Sequence, residues 1–254
     1  MPSEGMNPEE FANIAKAEEH FWWYRGQRKI LTELLDRLPA VRSARRVLEG
    51  GCGTGYMSRF LAERYGWRMT ALDLSRIGLE HAKRQGVASL VQGDITQLPV
   101  RAGEYDALVS LDVVAHLPEG VEGAAFHEFA RVLRHNGLLV LRTSALESLH
   151  SRHSQHALER QRFTRRRLAA AIERAGFRVV FASYVNSLLL PLAWFKFRIW
   201  EPMFSAAPAS GVLPVAPWLN RLLCWPLMME ARWIRHGRSF PLGQTLLLVA
   251  EKKN

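Results

Sequence analysis

The chain has 254 residues, 48% of them hydrophobic and 23% charged, a balance that excludes a disordered or low-complexity protein. Lysine and arginine number 34 against 24 aspartates and glutamates, a formal net charge of +10, which points to an anionic partner: a phosphate-bearing substrate, a membrane surface or nucleic acid. Cys52 and Cys224 are too few for a disulfide framework, so the cytoplasm is the expected compartment. The start Met-Pro-Ser-Glu-Gly lacks a basic segment leading into an apolar run, and no signal peptide is expected.

Residues 8–38 read as helical, with Asn7-Pro8-Glu9-Glu10 as a start and Phe11, Ile14 and Ala15 at helical spacing. Inside that stretch, His20-Phe-Trp-Trp-Tyr-Arg25 carries more aromatic surface than an N-terminal arm needs; it either staples the helix to a sheet or folds over a ligand. Ile30, Leu31, Leu34, Leu35 and Leu38 continue as a core-facing stripe. Then Val47-Leu-Glu-Gly-Gly-Cys-Gly-Thr-Gly-Tyr56 is an apolar strand running into a glycine-rich turn that opens a helix. Glycines 51, 53 and 55 let the backbone turn tightly and a ligand approach the peptide planes. A dinucleotide loop needs a small residue where Tyr56 stands, and Glu49 at the strand end repels a diphosphate while favouring a cation. Both features disfavour a nicotinamide oxidoreductase.

A second strand ends in Asp73, about 20 residues after the glycines, where an acid takes ribose hydroxyls. Ser75 caps a helix running to Gly86, and a third strand ends in Gly93-Asp94. Ala107–Val109 and Leu138–Leu141 are short apolar runs suited to strands covered on both faces. A helix from Glu119 to Arg134, closed by His135-Asn-Gly137, separates them. Phe177–Phe181 and Gln244–Ala250 are the last two strands. The connection between Ser144 and Thr164 is rich in histidine and arginine. Its basic face suits solvent or a substrate phosphate, and no metal site is expected from His150, His153 and His156, which have no thiolate or carboxylate between them.

Taken in order, Glu49-x-Gly51-x-Gly53-x-Gly55, Asp73, Gly93-Asp94 and Tyr105-Asp-Ala-Leu-Val-Ser-Leu-Asp-Val-Val-Ala-His116 resemble the motifs of class I S-adenosylmethionine-dependent methyltransferases. The resemblance covers residues 46–184. It implies an α/β, Rossmann-like, doubly wound seven-stranded sheet whose last two strands form an antiparallel pair at one edge, with S-adenosyl-L-methionine as cofactor. It also implies that Gly51 and Gly53 line the methionine moiety, Asp73 binds the ribose hydroxyls and Asp94 the adenine amino group, with Glu49, Gly55, Leu74, Ile95, Ser110 and Leu111 completing the site. Trp22, Tyr24 and Arg28 of the arm are expected to close over the cofactor, with Arg25 or Arg28 at its carboxylate. Acceptors bind in this family at the carboxyl end of the fourth strand, which makes Asp112 and His116 the candidates for positioning and proton removal.

Three units are expected: a helical arm over 1–45, the α/β domain over 46–185 plus 242–254, and a helical insertion over 186–241. The insertion holds five of the eight tryptophans and seven of the twelve prolines, so it is a distinct element. Its apolar runs fall short of the ~20 residues that span a bilayer. Aromatics interleaved with Lys196, Arg198, Arg221, Arg232, Arg235 and Arg238 suit an interfacial helix on anionic lipid; a structural cap or a homodimer face is the competing reading. The expected activity is methyl transfer to a small or lipid-linked anionic acceptor, in the cytoplasm or peripherally at the inner face of the membrane. The alternatives are a membrane-peripheral cofactor-binding module without turnover and an RNA methyltransferase. Nucleic acid is disfavoured as a partner by the lack of an RNA-binding motif and of an Asn/Asp-Pro-Pro-Tyr-like tetrapeptide.

Overall fold

Strands β1 (Arg46–Gly50), β2 (Arg68–Asp73), β3 (Ser89–Gln92), β4 (Tyr105–Leu111), β5 (Leu133–Ser144), β6 (Phe177–Val185) and β7 (Thr245–Lys252) form one sheet of order β3-β2-β1-β4-β5-β7-β6. The computed structural model describes residues 8–150, 152–204 and 215–253. The first five strands pair in parallel, and β7 runs antiparallel to both β5 and β6. This is the expected edge pair. The strand order reverses between β1 and β4, so the carboxyl ends of those parallel strands open a crevice.

Because strand side chains alternate, each apolar strand feeds two cores. Leu48, Leu108, Leu139 and Leu141 point to one face, with Phe126, Phe129, Leu168 and Ile172 of helices α6 (Glu122–Val132) and α8 (Arg165–Arg174). Val47, Ala107, Val109 and Val140 point to the other, which is covered by α2 (Trp22–Leu35) and α11 (Pro217–Arg235). The other helices are α1 (Pro8–Ala17), α3 (Pro39–Ser43), α4 (Tyr56–Tyr65), α5 (Arg76–Arg84), α7 (Arg152–His156), α9 (Leu190–Phe195) and α10 (Glu201–Phe204); a π turn, Lys196–Trp200, joins the last two.

Three boundaries differ from the sequence expectation. The stretch expected to be helical over 8–38 is broken into α1 and α2, with α3 following it. At the first corner the Arg28 guanidinium donates to the carbonyls of Glu18 and Glu19, a cation closing the carboxyl end of α1 where carbonyls lack helical partners. The helix expected to run to Arg134 ends at Val132, and β5 begins at Leu133, paired with Tyr105. The ladder then slips through a turn in which Asn136 takes φ 59°. Finally, the insertion supplies a core layer: Cys224, Leu227, Ala231 and Ile234 of α11 are buried at the spacing of one helix face.

The α2–α11 contact depends on one glycine. A Cβ at Gly26 would lie 2.1 Å from Leu227 Cδ1, so Gly26→Ala overpacks the layer and should destabilise the protein by about 1–3 kcal/mol, although alanine is the better helix former. Urea unfolding checks this; an unchanged midpoint would mean that α11 is free to shift.

Candidate active site

The crevice holds a cavity of about 700 Å³, within the range of small-molecule sites. The β1–α4 turn forms its floor. Gly51, Gly53 and Gly55 take φ of 84°, 52° and 78°. A Cβ on Gly51 would strike Val113 Cγ2 at 2.2 Å, whereas one on Gly53 would meet nothing within 4 Å and stand in open space beside the cavity. Asp73 grips this turn: one carboxylate oxygen accepts from Gly53 N at 2.7 Å and the other from Ser75 N at 2.8 Å. Asp94 accepts from the amide and hydroxyl of Thr96, both at 2.8 Å.

Thirteen of the fifteen expected residues line this cavity: Trp22, Tyr24, Arg28, Glu49, Gly51, Gly53, Asp73, Leu74, Asp94, Ile95, Leu111, Asp112 and His116. Ser110 and Gly55 do not. Ser110 is fully buried and its hydroxyl donates to Gly50 O at 2.9 Å, tying β4 to β1. Gly55 is the left-handed N-cap of α4, and a Cβ there would lie 2.4 Å from Ala82 Cβ, so it serves the packing of α4 against α5. Arg25 is exposed. Arg28 reaches the cavity, but two of its donors are held by the carbonyls of Glu18 and Glu19, and its guanidinium lies 4.8 Å from the Tyr56 ring centroid.

Several cavity residues were not expected from the sequence. Glu18 is buried; one oxygen accepts from Thr54 Oγ1 and the other has no hydrogen-bond partner. Burial pushes its carboxyl up to about 7 and that of Glu49, which accepts from Ser58 Oγ, up to about 8; Asp73 is also raised by burial. Gln27 and Asn186 are buried in the wall with unpartnered amide atoms. Arg142 of β5 is 7% exposed. Its Nε and Nη2 donate to Asp112 Oδ2 at 2.9 and 2.7 Å, and Trp23 lies over the guanidinium at 5.4 Å. Among the described residues nothing bonds its Nη1. Asp112 itself takes φ 62°, a costly conformation for a non-glycine residue at a site that over-determines it. The His116 Nδ1 lies 3.3 Å from Leu158 O, which can only accept, so the ring proton belongs on Nδ1 and the lone pair on Nε2. In the basic connection, Arg162 is committed to Ala145 O, Ser154 and Glu159, and Arg167 to Glu122 and Gln161. These two serve the fold, not a phosphate. His156 lies 3.3 Å from Glu10, and the His153 side chain is outside the described residues.

The charge pattern discriminates between ligands. Glu18, Glu49 and Asp73 crowd the glycine turn, burial disfavours each carboxylate, and the nearby Arg28 is already engaged. A diphosphate would meet repulsion there, while a ligand bearing an ammonium and a sulfonium would relieve it. The sheet order and the turn define a Rossmann-like cofactor-binding fold, and S-adenosylmethionine fits its open glycine floor and unanswered carboxylates.

Comparison with known proteins agrees. A family model described as a methyltransferase domain matches residues 47–137. The chain is 37% identical over 140 residues to the malonyl-[acyl-carrier protein] O-methyltransferase of Enterobacter lignolyticus, covering 54% of each protein. It is 31% identical over 126 residues to a probable S-adenosylmethionine-dependent methyltransferase of Mycobacterium tuberculosis, covering 49% of this chain and 43% of the relative. The chain thus spans about half the length of the curated relatives it matches. Among solved structures, the complex of the Haloferax volcanii Trm112 methyltransferase activator with a putative methyltransferase aligns with TM-score 0.64 at 22% identity, over 97% of this chain and 96% of the other. Residues 47–137 thus match a methyltransferase domain, and the sheet as a whole has the Rossmann-like fold of the class I methyltransferases.

Proposed function

We propose that the protein transfers a methyl group from S-adenosylmethionine to a small or lipid-linked acceptor bearing an anionic group. In this reading Gly51 and Gly53 run along the methionine moiety, Asp73 binds the ribose hydroxyls, and Asp94 with Ile95 holds the adenine. Glu18 and Glu49 face the cofactor's cationic end. The described residues of the arm over 1–45 and of the insertion over 186–241 close the acceptor side of the α/β domain, and Trp22, Trp23 and Tyr24 exclude water there. When bound, the cofactor supplies a methyl group on a sulfonium that is already activated. The chain's work is therefore alignment, exclusion of water and, for a hydroxyl acceptor, removal of a proton. His116, with its lone pair on Nε2, is the group for that proton. A carboxylate acceptor arrives ionised and needs no base. Asp112 is a positioning residue, because its Oδ2 carries both donors from Arg142.

Arg142 carries the acceptor reading. It is buried in the cavity wall beyond the glycine floor, held rigid by Asp112 and Trp23, with one donor atom uncommitted among the described residues. An arginine so arranged suits an anion. The O-methyltransferase relatives add support, since a malonyl group offers such an oxygen. Trials with labelled S-adenosylmethionine should show transfer to carboxylate-bearing acceptors and not to their amides. Arg142→Met should lower kcat/KM roughly tenfold to hundredfold, the worth of a hydrogen bond to a charged group, with cofactor affinity unchanged. Equal use of acids and amides, or an indifferent Arg142→Met, would remove the anionic acceptor. We also place the protein in the cytoplasm, peripherally attached at the inner face of the membrane. No helix among the described residues is long and apolar enough to cross one.

A further inference from the structure

Helix α11 is apolar on two opposite sides. One is the buried face already described. The other carries Trp218, Leu222, Trp225, Met229 and Trp233, at i, i+4, i+7, i+11 and i+15, and these side chains are 42% to 67% exposed. A helix with one core face ordinarily turns polar residues outward. This one does not. Twelve of the eighteen exposed large apolar side chains among the described residues lie between 188 and 233, so the apolar surface is concentrated on the insertion and is not scattered as on an ordinary soluble protein.

Around this surface cations outnumber anions. The described residues of the insertion contain six cations, Lys196, Arg198, Arg221, Arg232, Arg235 and Arg238, against Glu201 and Glu230, and Glu230 is fully buried. Arg221 and Arg232 sit along the edge of the outer α11 stripe by helical spacing. A second copy seated on this face would bring like charges together across a two-fold axis. An anionic lipid surface would meet both features, taking tryptophan into its headgroup region and arginine at its phosphates.

The surface also adjoins the cavity. Leu192, Trp194, Phe195 and Ile199 of α9 and the π turn are exposed, while Lys196, Phe197 and Trp200 of the same turns line the cavity. We propose that the outer face of α11, with α9 and the π turn, seats on an anionic membrane surface and holds the cavity mouth against it. A lipid-linked acceptor then reaches Arg142 without leaving the bilayer. That consequence rests on the acceptor reading above; the seating itself does not.

The test uses the full chain with phosphatidylcholine vesicles, with and without phosphatidylglycerol, at low and high salt, read by sedimentation and tryptophan fluorescence. Vesicles with phosphatidylglycerol should bind at least about tenfold more tightly than those without, and salt should reduce the difference. The double variant Trp218→Ser/Trp225→Ser should lose at least about tenfold, since both rings are exposed and their removal leaves the fold, checked by thermal melting, intact. Arg221→Gln and Arg232→Gln should each lose about fivefold on anionic vesicles alone. No binding to anionic vesicles overturns the proposal, as does binding indifferent to the tryptophan variants. A dimer in sedimentation equilibrium that Trp225→Ser dissociates, without vesicle binding, would give the face to a second copy instead. Because the vesicles contain neither acceptor nor cofactor, failed seating and failed methyl transfer are separate results.

Discussion

Replacing Asp73 with alanine is expected to weaken S-adenosylmethionine binding by about 2–4 kcal/mol, the value of two hydrogen bonds to a charged group, which is roughly thirtyfold to a thousandfold. The carboxylate has two tasks. It already accepts from Gly53 N and Ser75 N, so it fixes the glycine turn before any ligand arrives. Its remaining lone pairs are those proposed for the ribose hydroxyls, since each carboxylate oxygen has more than one acceptor site. Asp73→Ala removes both functions, and Asp73→Asn keeps the shape and one acceptor, so the asparagine variant should fall between. Calorimetry with S-adenosylmethionine and with S-adenosylhomocysteine reads the loss, and thermal melting of the unliganded protein reads the turn. Unchanged affinity in a folded Asp73→Ala protein would sink the ribose assignment.

The floor of the site was legible because its chemistry is local. Glycines that need positive φ, an acid at the end of the next strand and a Gly-Asp after the third are each written as a short motif at a strand end, and the strand alternation that carries them is a period-two pattern. What sequence missed is non-local. Glu18 reaches the Thr54 hydroxyl only because α1 folds back at the Arg28 corner, and nothing in Ala17-Glu-Glu-His20 marks which acid turns inward. Arg142 follows four apolar residues of β5, and a cation in such a run was the available signal that a buried partner, Asp112, had to exist. Ser110 and Gly55 stand where the motif places cofactor contacts, yet their atoms answer Gly50 O and Ala82.

The insertion was half legible. Composition marked it as distinct, but large apolar residues occur on both sides of α11, and their pattern offers no reason to bury 224, 227, 231 and 234 and expose 218, 222, 225 and 229. The choice is made by Gly26, whose missing side chain admits Leu227. That contact places the insertion against the arm. Trp22 N donates to Asn220 Oδ1 at 2.7 Å, and Asn220 Nδ2 donates to His20 O at 2.9 Å. The aromatic run of the arm, which walls the cavity, is thus tied to the helix proposed to meet lipid, and seating one would bias the position of the other.

Raising the pH from about 5 to 8 should destabilise the unliganded protein by several kcal/mol, and cofactor should oppose that loss. Burial lifts Glu18 from 4.5 to about 7 and Glu49 from 4.5 to about 8. Between pH 4.5 and those values the folded chain keeps protons that the unfolded chain releases, so stability is complete below pH 4.5 and falls as pH rises through 7 and 8. A tenfold difference in proton affinity between the folded and unfolded chain is worth about 1.4 kcal/mol. Glu230 and Asp73, also raised by burial, act in the same direction. The lowered carboxyls Glu122, Glu128 and Glu159 lose their contribution only as pH falls through values below 4.5, outside this window. Glu18→Gln and Glu49→Gln should each flatten the pH profile of urea unfolding. A cationic ligand reverses the balance, because an ammonium beside these carboxyls favours their ionised forms. S-adenosylmethionine should therefore bind more tightly at pH 8 than at pH 6 and release protons on binding near pH 7, measured by calorimetry in buffers of different ionisation enthalpy. A profile that rises from pH 5 to 8, or binding without proton release in both the parent and the glutamine variants, would mean that these carboxyls do not face the cofactor's cationic end.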